Sequence, residues 1–313
     1  MNLHERISRR LKLRDLRLLL AVAESGSMAK AATHINLTQS AVSRAIGELE
    51  HTLGVRLFDR TPQGVEPTIY GRALLKGGVA VFDDLRTSVN EIEFLSDPTA
   101  GELRIGTSEA TGFGVVPVLI DLLARQYPRA VFEVVQADTK TLMEHELRGR
   151  RIELAITRMA TSGDEDLEGT ILYSDRLRVV AGLSSPWASR RRIALSDLVN
   201  ERWCLPPPGH PVTSQVTEAF RRCGLEPPRR SATVASAQFV SNLVAKGYFL
   251  GVHGTVYLRL HPASGSLKVL PVELPIPLAP VSVVSLKNRT LSPLAQIFIE
   301  RAREVTKPMA KLA

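Results

Sequence analysis

A chain of 313 residues, 44% hydrophobic and 23% charged, with mean hydropathy +0.01, has the composition expected of an ordinary globular protein and not of a disordered or membrane chain. No apolar run approaches the ~18 residues of a membrane span, and Cys204 and Cys223 are too few for a disulfide scaffold, so a reducing, cytoplasmic setting with no membrane partner is expected. The net charge of +8 permits a polyanionic partner without locating it. Residues 1–70 carry +3 and the remainder +5, partly in clusters such as Arg190, Arg191 and Arg192 whose simplest role is a solvated face.

The stretch from Ser8 to Leu13 superficially resembles a twin-arginine export signal. Asp15 and Arg17 stand where such a signal needs its apolar segment, so Met1 onward is read as mature sequence. Leu13, Leu16, Leu19, Leu20 and Ala23 recur at helical spacing and stop at Ser25-Gly26, which predicts a first amphipathic helix. Ser27 is placed to cap a second, with Met28, Ala31, Ala32 and Ile35 inward; the paired alanines let a neighbour approach closely. Thr38 is the cap of a third, carrying Val42, Ile46, Leu49 and Leu53 on one face and Gly54 as its stop.

Three short helices with tight turns make a helix-turn-helix, and the third shows a polar face of Gln39, Ser40, Ser43 and Arg44. Those residue types suit base edges: glutamine pairs with adenine, arginine with guanine, serine with either. Residues 55–60 then alternate apolar and polar, and 61–65 supply a turn, predicting a wing that lays Arg56, Arg60 and Thr68 along the sugar-phosphate backbone. Ser27 and Thr38, at helix starts, join the candidate DNA contacts. The alternative at this point is a helical bundle with an incidental hairpin.

The order Ala31-Ala32, Gln39 to Arg44, Leu49-Glu50, Leu53 to Arg60 and Gly64-Val65 resembles the winged helix-turn-helix of LysR-type transcriptional regulators. The resemblance implies that Gln39, Ser40, Ser43 and Arg44 face the major groove. It also implies a bacterial regulator that forms homodimers or homotetramers on an operator with an interrupted inverted repeat, with RNA polymerase as a further partner. Three positions depart from the family pattern. Ser40 stands where proline is usual, Gln63 where the wing often has a basic residue, and Gly47 replaces a larger residue on the third helix, costing ~1 kcal/mol of helix propensity.

Residues 70–95 read as one long helix with Leu75, Phe82 and Val89 at heptad position a and Gly78, Leu85 and Ile92 at d. Such a stripe is buried either against a second copy or against its own chain. Asp97-Pro98-Thr99-Ala100-Gly101 then marks a boundary.

Beyond it, strands over 103–106, 131–135 and 152–156 alternate with helices over 116–127 and 139–147, the pattern of parallel crossover units. A second series comprises strands over 177–180, near 233 and over 249–252, with helices over 211–223 and 238–245. The strand 281–286 and the helix 293–305 lack partners there, so they are expected to return to the first lobe. The fold class is α/β overall: winged helix-turn-helix at 1–70, linker helix and hinge at 71–100, and an effector domain at 101–313. Lobe I of that domain takes about 101–174 plus 276–313 and lobe II about 175–275. Two lobes joined by two crossings resemble periplasmic solute-binding proteins, as does the effector domain of the LysR type.

Ligands of such sheets lie beyond the carboxyl ends of the strands. Thr107, Ser108, Glu109, Ala110 and Thr111 precede a helix there, Thr139 and Ser236 begin others, and Arg158 follows a strand and suits a carboxylate. A small, anionic effector fits these groups. Thr139 and Ser236 have N-capping as an alternative role, Arg158 a structural ion pair, and Glu109 either points away or meets a donor on the ligand.

No catalytic constellation is evident. Cys204 in a proline-rich loop and Cys223 in a helix have no histidine at metal spacing, His210, His253 and His261 are scattered, and Gly106, Gly112 and Gly114 lack a phosphate-loop spacing. Neither metal nor cofactor is expected. A DNA-binding regulator gated by a small effector is therefore favoured over a transport solute-binding protein, which leaves the helix-turn-helix unexplained, and over an enzyme.

Overall fold

The computed structural model describes residues 11–62, 64–159, 164–260 and 265–309, so Gln63, His261 and the Arg9-Arg10 pair lie outside the described residues. The chain divides into two compact units, one ending at Ser88 and the other beginning at Val89.

In the first unit, α1 (Leu13–Ser25), α2 (Met28–His34) and α3 (Gln39–Leu53) precede β1 (Phe58–Thr61) and β2 (Gly64–Pro67). Left-handed Gly26 and Gly54, at φ 61 and 74, stop α1 and α3 by returning their amides to Val22 O and Glu50 O. The core gathers Leu16, Leu18, Leu19 and Val22 with Ala31, Ala32, Val42, Ile46, Leu49, Leu57 and Phe58. The buried face of α1 is thus rotated from the expected one. Leu13 is exposed, because the helix rests on α2 and α3 through Leu18 and Val22. Ser27 precedes α2 as expected, but its side chain makes no capping bond. Thr38 does cap α3, accepting from Ala41 N at 3.2 Å.

The wing is shorter than the alternation suggested. β1 starts only at Phe58, because the Glu50 carboxylate takes the amides of Leu57 and Phe58 at 2.7 and 3.2 Å before pairing with β2 begins. At the tip, Val65 N donates to Gly26 O at 2.9 Å, an approach that Gly64 permits because a Cβ there would overlap that oxygen.

The long helix α4 spans Ile69–Ser96. Its stripe divides. Leu74 and Leu75 pack on the helix-turn-helix core and Gly78 lies against Leu16, so this half is buried on its own chain. Val81, Leu85, Val89, Ile92 and Leu95 are exposed, Ile92 by 63% and Leu95 by 75%.

In the second unit, β3 (Ala100–Thr107), α5 (Glu109–Gly112), α6 (Val115–Gln126), β4 (Arg129–Gln136), α7 (Thr139–Thr141) and a π turn (Leu142–Leu147) lead to β5 (Leu154–Arg158) and β6 (Leu167–Asp175). Then come β7 (Leu177–Gly182), β8 (Trp203–Leu205), α8 (Pro211–Arg222), β9 (Arg230–Thr233), α9 (Ala237–Val244), β10 (Leu250–Gly254) and α10 (Thr255–Leu260). The chain closes with β11 (Leu267–Val269), β12 (Ala279–Leu286) and α11 (Pro293–Thr306).

One sheet runs β4-β3-β5-β12-β6 and the other β11-β7-β10-β8-β9. The partnerless strand β12 does return to the first sheet, antiparallel between β5 and β6. Both sheets are therefore mixed rather than parallel throughout, and β6, β8, β11 and α10 are elements the sequence pattern did not disclose. In the first lobe α6 and α11 bury Leu119, Leu123, Leu294 and Phe298 on one sheet face, while Leu142, Leu147 and Ile152 fill the other. In the second lobe Trp203 meets Phe220 edge-on at 5.8 Å inside a core with Val179, Leu198 and Val216.

Candidate functional site

On α3, Gln39, Ser40 and Arg44 are exposed and Ser43 is half-buried, opposite the buried Val42, Ile46 and Leu49. Ser40 Oγ lies 3.1 Å from Thr38 Oγ1, so the serine in place of proline extends the cap. Gly47 sits on the exposed side with open space around it, so its missing side chain removes a possible contact and relieves no clash. Arg56 and Arg60 are exposed beside the wing. Thr68 is a correction to the backbone-contact expectation: its hydroxyl donates to Arg56 O at 2.7 Å and accepts from Gly71 N at 3.0 Å, which makes it the cap of α4.

The cleft candidates lie at the carboxyl ends of β3, β4 and β5 in the first lobe and at the start of α9 in the second. Thr107 and Thr111 are buried, and their hydroxyls lie 2.8 Å apart, with Thr111 donating to Ile156 O at 2.8 Å. They hold the loop rather than offer free hydroxyls. Ser108, Glu109 and Ala110 are half-buried beside them. Thr139 Oγ1 lies 2.6 Å from Thr157 Oγ1, and it is Asp138, not Thr139, that caps α7 by accepting from Thr141 N at 3.0 Å. Hydrogen bonds from Thr141 hold the Asp138 carboxyl below its ordinary pKa.

Arg158 is the last residue of β5. Its Nη2 donates to Asp175 Oδ2 at 2.7 Å, so the ion-pair role is real. Its Nη1 is buried and has no hydrogen-bond partner among the described residues. Burial pushes the Asp175 carboxyl above its ordinary pKa and the Arg158 charge draws it partly back. Opposite stands His210, which sequence reasoning left among scattered histidines. It caps α8, its Nδ1 accepting from Val212 N at 3.2 Å ahead of Pro211. Burial, then the Arg158 charge, hold its imidazole below the ordinary value, against the pull of Asp138. The His-Pro pair before an amphipathic run was the signal that could have placed it.

Ser236 both caps α9, accepting from Phe239 N at 3.2 Å, and donates to Glu109 Oε1 at 2.8 Å. Ala237 N and Gln238 N also reach the Glu109 carboxylate, at 2.7 and 3.2 Å. Glu109 thus faces the second lobe rather than pointing away. Behind it, Ser241 Oγ lies 3.0 Å from both His253 Nε2 and the Tyr257 hydroxyl, with the two rings stacked at 4.6 Å.

Cys204 lies in β8, not in a loop. Burial raises its thiol pKa, the opposite of what a reactive thiolate needs. Cys223 is exposed at the end of α8. Among the described residues no three His, Cys, Asp or Glu side chains form a metal cluster, and no helix is long and apolar enough to cross a membrane.

An exposed polar face on the third helix of a winged helix-turn-helix, joined by a long helix to a two-lobed α/β domain, defines a ligand-responsive DNA-binding regulator. Residues 13–72 match the bacterial regulatory helix-turn-helix protein, lysR family, and residues 96–307 match the LysR substrate binding domain. The chain belongs to the LysR family of transcriptional regulators. It is similar to the HTH-type transcriptional regulator GbpR of Azospirillum brasilense, at 29% identity over 94% of this chain and 86% of that one. It is also similar to the transcriptional dual regulator GltC of Bacillus subtilis, at 28% identity over 93% and 96%. Full-length CbnR in complex with its target DNA shares the fold at TM-score 0.66 and 20% identity, over 95% of this chain and 100% of that one. These relatives are regulators, as expected, and not enzymes.

Proposed function

We propose that the protein regulates transcription by docking α3 in the major groove of an operator with an interrupted inverted repeat, under the control of a small anionic effector held between the lobes. The observation that carries the reading is the division of α3 into a buried face and an exposed one with Gln39, Ser40 and Arg44. Ser43 completes the base-reading set, Arg56 and Arg60 meet phosphates, and Ser27 and Thr38 hold the helix starts at the backbone.

The exposed half of α4, with Leu85, Val89 and Ile92, supports a homodimer that pairs two such heads; two dimers make the tetramer. RNA polymerase is the partner through which operator binding changes transcription. In the cleft, Arg158 receives the effector's acid group: its Nη1 has no acceptor among the described residues, the His210 imidazole of the second lobe lies within reach of its charge, and Thr139 is bonded to the neighbouring Thr157. Ser108 and Ala110 line the same end, and Thr107 and Thr111 shape their loop.

The test is footprinting of the purified protein on the DNA upstream of its own reading frame, at fixed salt with excess nonspecific competitor. A discrete protected site with two half-sites, lost in Arg44→Ala, is the expected result. Protection that is salt-sensitive but indifferent to sequence, and equal in the variant, overturns the docking of α3.

A further inference from the structure

The start of α9 is built to receive an anion. Its first-turn amides point outward, and the helix carries no acidic residue in its own first turn to complement the dipole. The occupant is the chain's own Glu109, from the other lobe. Three donors converge on this one carboxylate: the Ser236 hydroxyl at 2.8 Å, Ala237 N at 2.7 Å and Gln238 N at 3.2 Å. Charge-assisted bonds of this kind are the strong ones, and tethering the carboxylate to the fold gives it an advantage over any dissolved acid. Oε1 accepts two of the bonds and Oε2 one, so Oε2 keeps the larger unused acceptor capacity.

We infer that Glu109 is a specificity-determining residue of the cleft: it fills the anion seat of the second lobe, latches that lobe to the first, and closes the seat to the effector's acid group. The effector class follows. It carries one acid group, taken by Arg158, and toward Glu109 presents a hydrogen-bond donor, a hydroxyl or an ammonium, rather than a second carboxylate. This deepens the effector reading above and rests on it, while the latch itself is a property of the protein alone and is tested without effector or DNA.

The experiment is amide hydrogen exchange at single-residue resolution on the full chain, with acetate as the probe anion. In the wild-type protein Ala237 and Gln238 exchange slowly, and acetate leaves them unchanged because the seat is taken. In Glu109→Ala both amides exchange at least ~10-fold faster, and millimolar acetate slows them again by entering the emptied seat. Glu109→Gln, which keeps the shape and one acceptor oxygen, falls between the two, and Ser236→Ala, which removes only the hydroxyl, speeds exchange less than Glu109→Ala. These two milder variants carry the test if the alanine variant does not fold.

Unchanged exchange in Glu109→Ala, or in both milder variants, overturns the latch. Slowing of the wild-type amides by acetate overturns the claim that the seat is closed. Either result leaves the footprinting outcome untouched.

Discussion

Replacing Arg158 with methionine isolates the electrostatics at the root of the cleft. Asp175 is 4% exposed and its partner side chain 17%. Removing the guanidinium while keeping an apolar stem strands a carboxylate beside the backbone, with Val256 N, at 3.3 Å, among its remaining donors. Breaking a buried pair in this way costs about 3–5 kcal/mol, with the lower half expected here because the arginine retains some solvent contact. At ~2–3 kcal/mol per molar urea, the midpoint of the second unit falls by roughly 1–2 M at pH 7.

The pH dependence has a definite sign. Asp175 already has a folded pKa above its ordinary value, so the folded state binds more protons than the unfolded chain between those two values. The stability this contributes is present in acid and is lost as pH rises through that window. Without Arg158 the folded value climbs further, so the deficit of Arg158→Met shrinks on going from pH 7 toward pH 5. Fluorescence of Trp203, buried in the second-lobe core, follows the unfolding. A deficit equal at both pH values, or an Arg158→Met/Asp175→Asn double variant no more stable than Arg158→Met, would refute the argument.

Arg44→Ala should weaken specific operator binding by ~1–3 kcal/mol and relax preference at one base position, measured by competition binding on operator variants at constant salt. Glu50→Ala leaves the amides of Leu57 and Phe58 without their acceptor, and a loss of about 1–3 kcal/mol in thermal stability of the first unit is expected, with Glu50→Gln milder. Gly254→Ala forces a Cβ against Asp175 Oδ2 and Arg158 Nη2 and should reproduce the instability of Arg158→Met in the same urea titration. Leu85→Lys with Ile92→Lys places charge in the exposed half of α4. Sedimentation should then show a smaller assembly than wild type, and an unchanged mass removes α4 as the pairing surface.

Local pattern was enough to read the first unit. α1 and α3 each carry an apolar period and a stop glycine, α2 has its paired buried alanines, and such signals act within a few residues. What escaped was the work of single polar atoms across sequence. Thr68 and Glu50 have residue types that suit a DNA contact and a solvated face, yet both are consumed by neighbouring backbone amides and carbonyls. In the effector domain Arg158 was legible because its type and its place at a strand end agree. Glu109 was legible only as an anomaly, since its partners lie more than a hundred residues away and no period links them. β6 and β12 pair antiparallel along eight registered positions, but β6 reads as Leu-Glu-Gly-Thr-Ile-Leu-Tyr, with glycine in mid-strand and no clean alternation, so its existence depends on β12 beside it.

That dependence has a temporal side. β12 is the strand between β5 and β6, and it supplies Val281, Val283 and Val284 to the first-lobe cores, yet it leaves the ribosome after the whole of the second lobe. The interval from Arg158 to its partner Val281 is 123 residues, which at ~5–20 residues per second is roughly 6 to 25 seconds of synthesis during which β5 and β6 wait for the strand that joins them. The second lobe, whose strands all lie between β6 and β12, can form during that wait. A message cut short after β3 but before β12 at Ala279 therefore yields the first unit on an unfinished first lobe, whose exposed strand edges give the cell's proteases a handle by which to clear it.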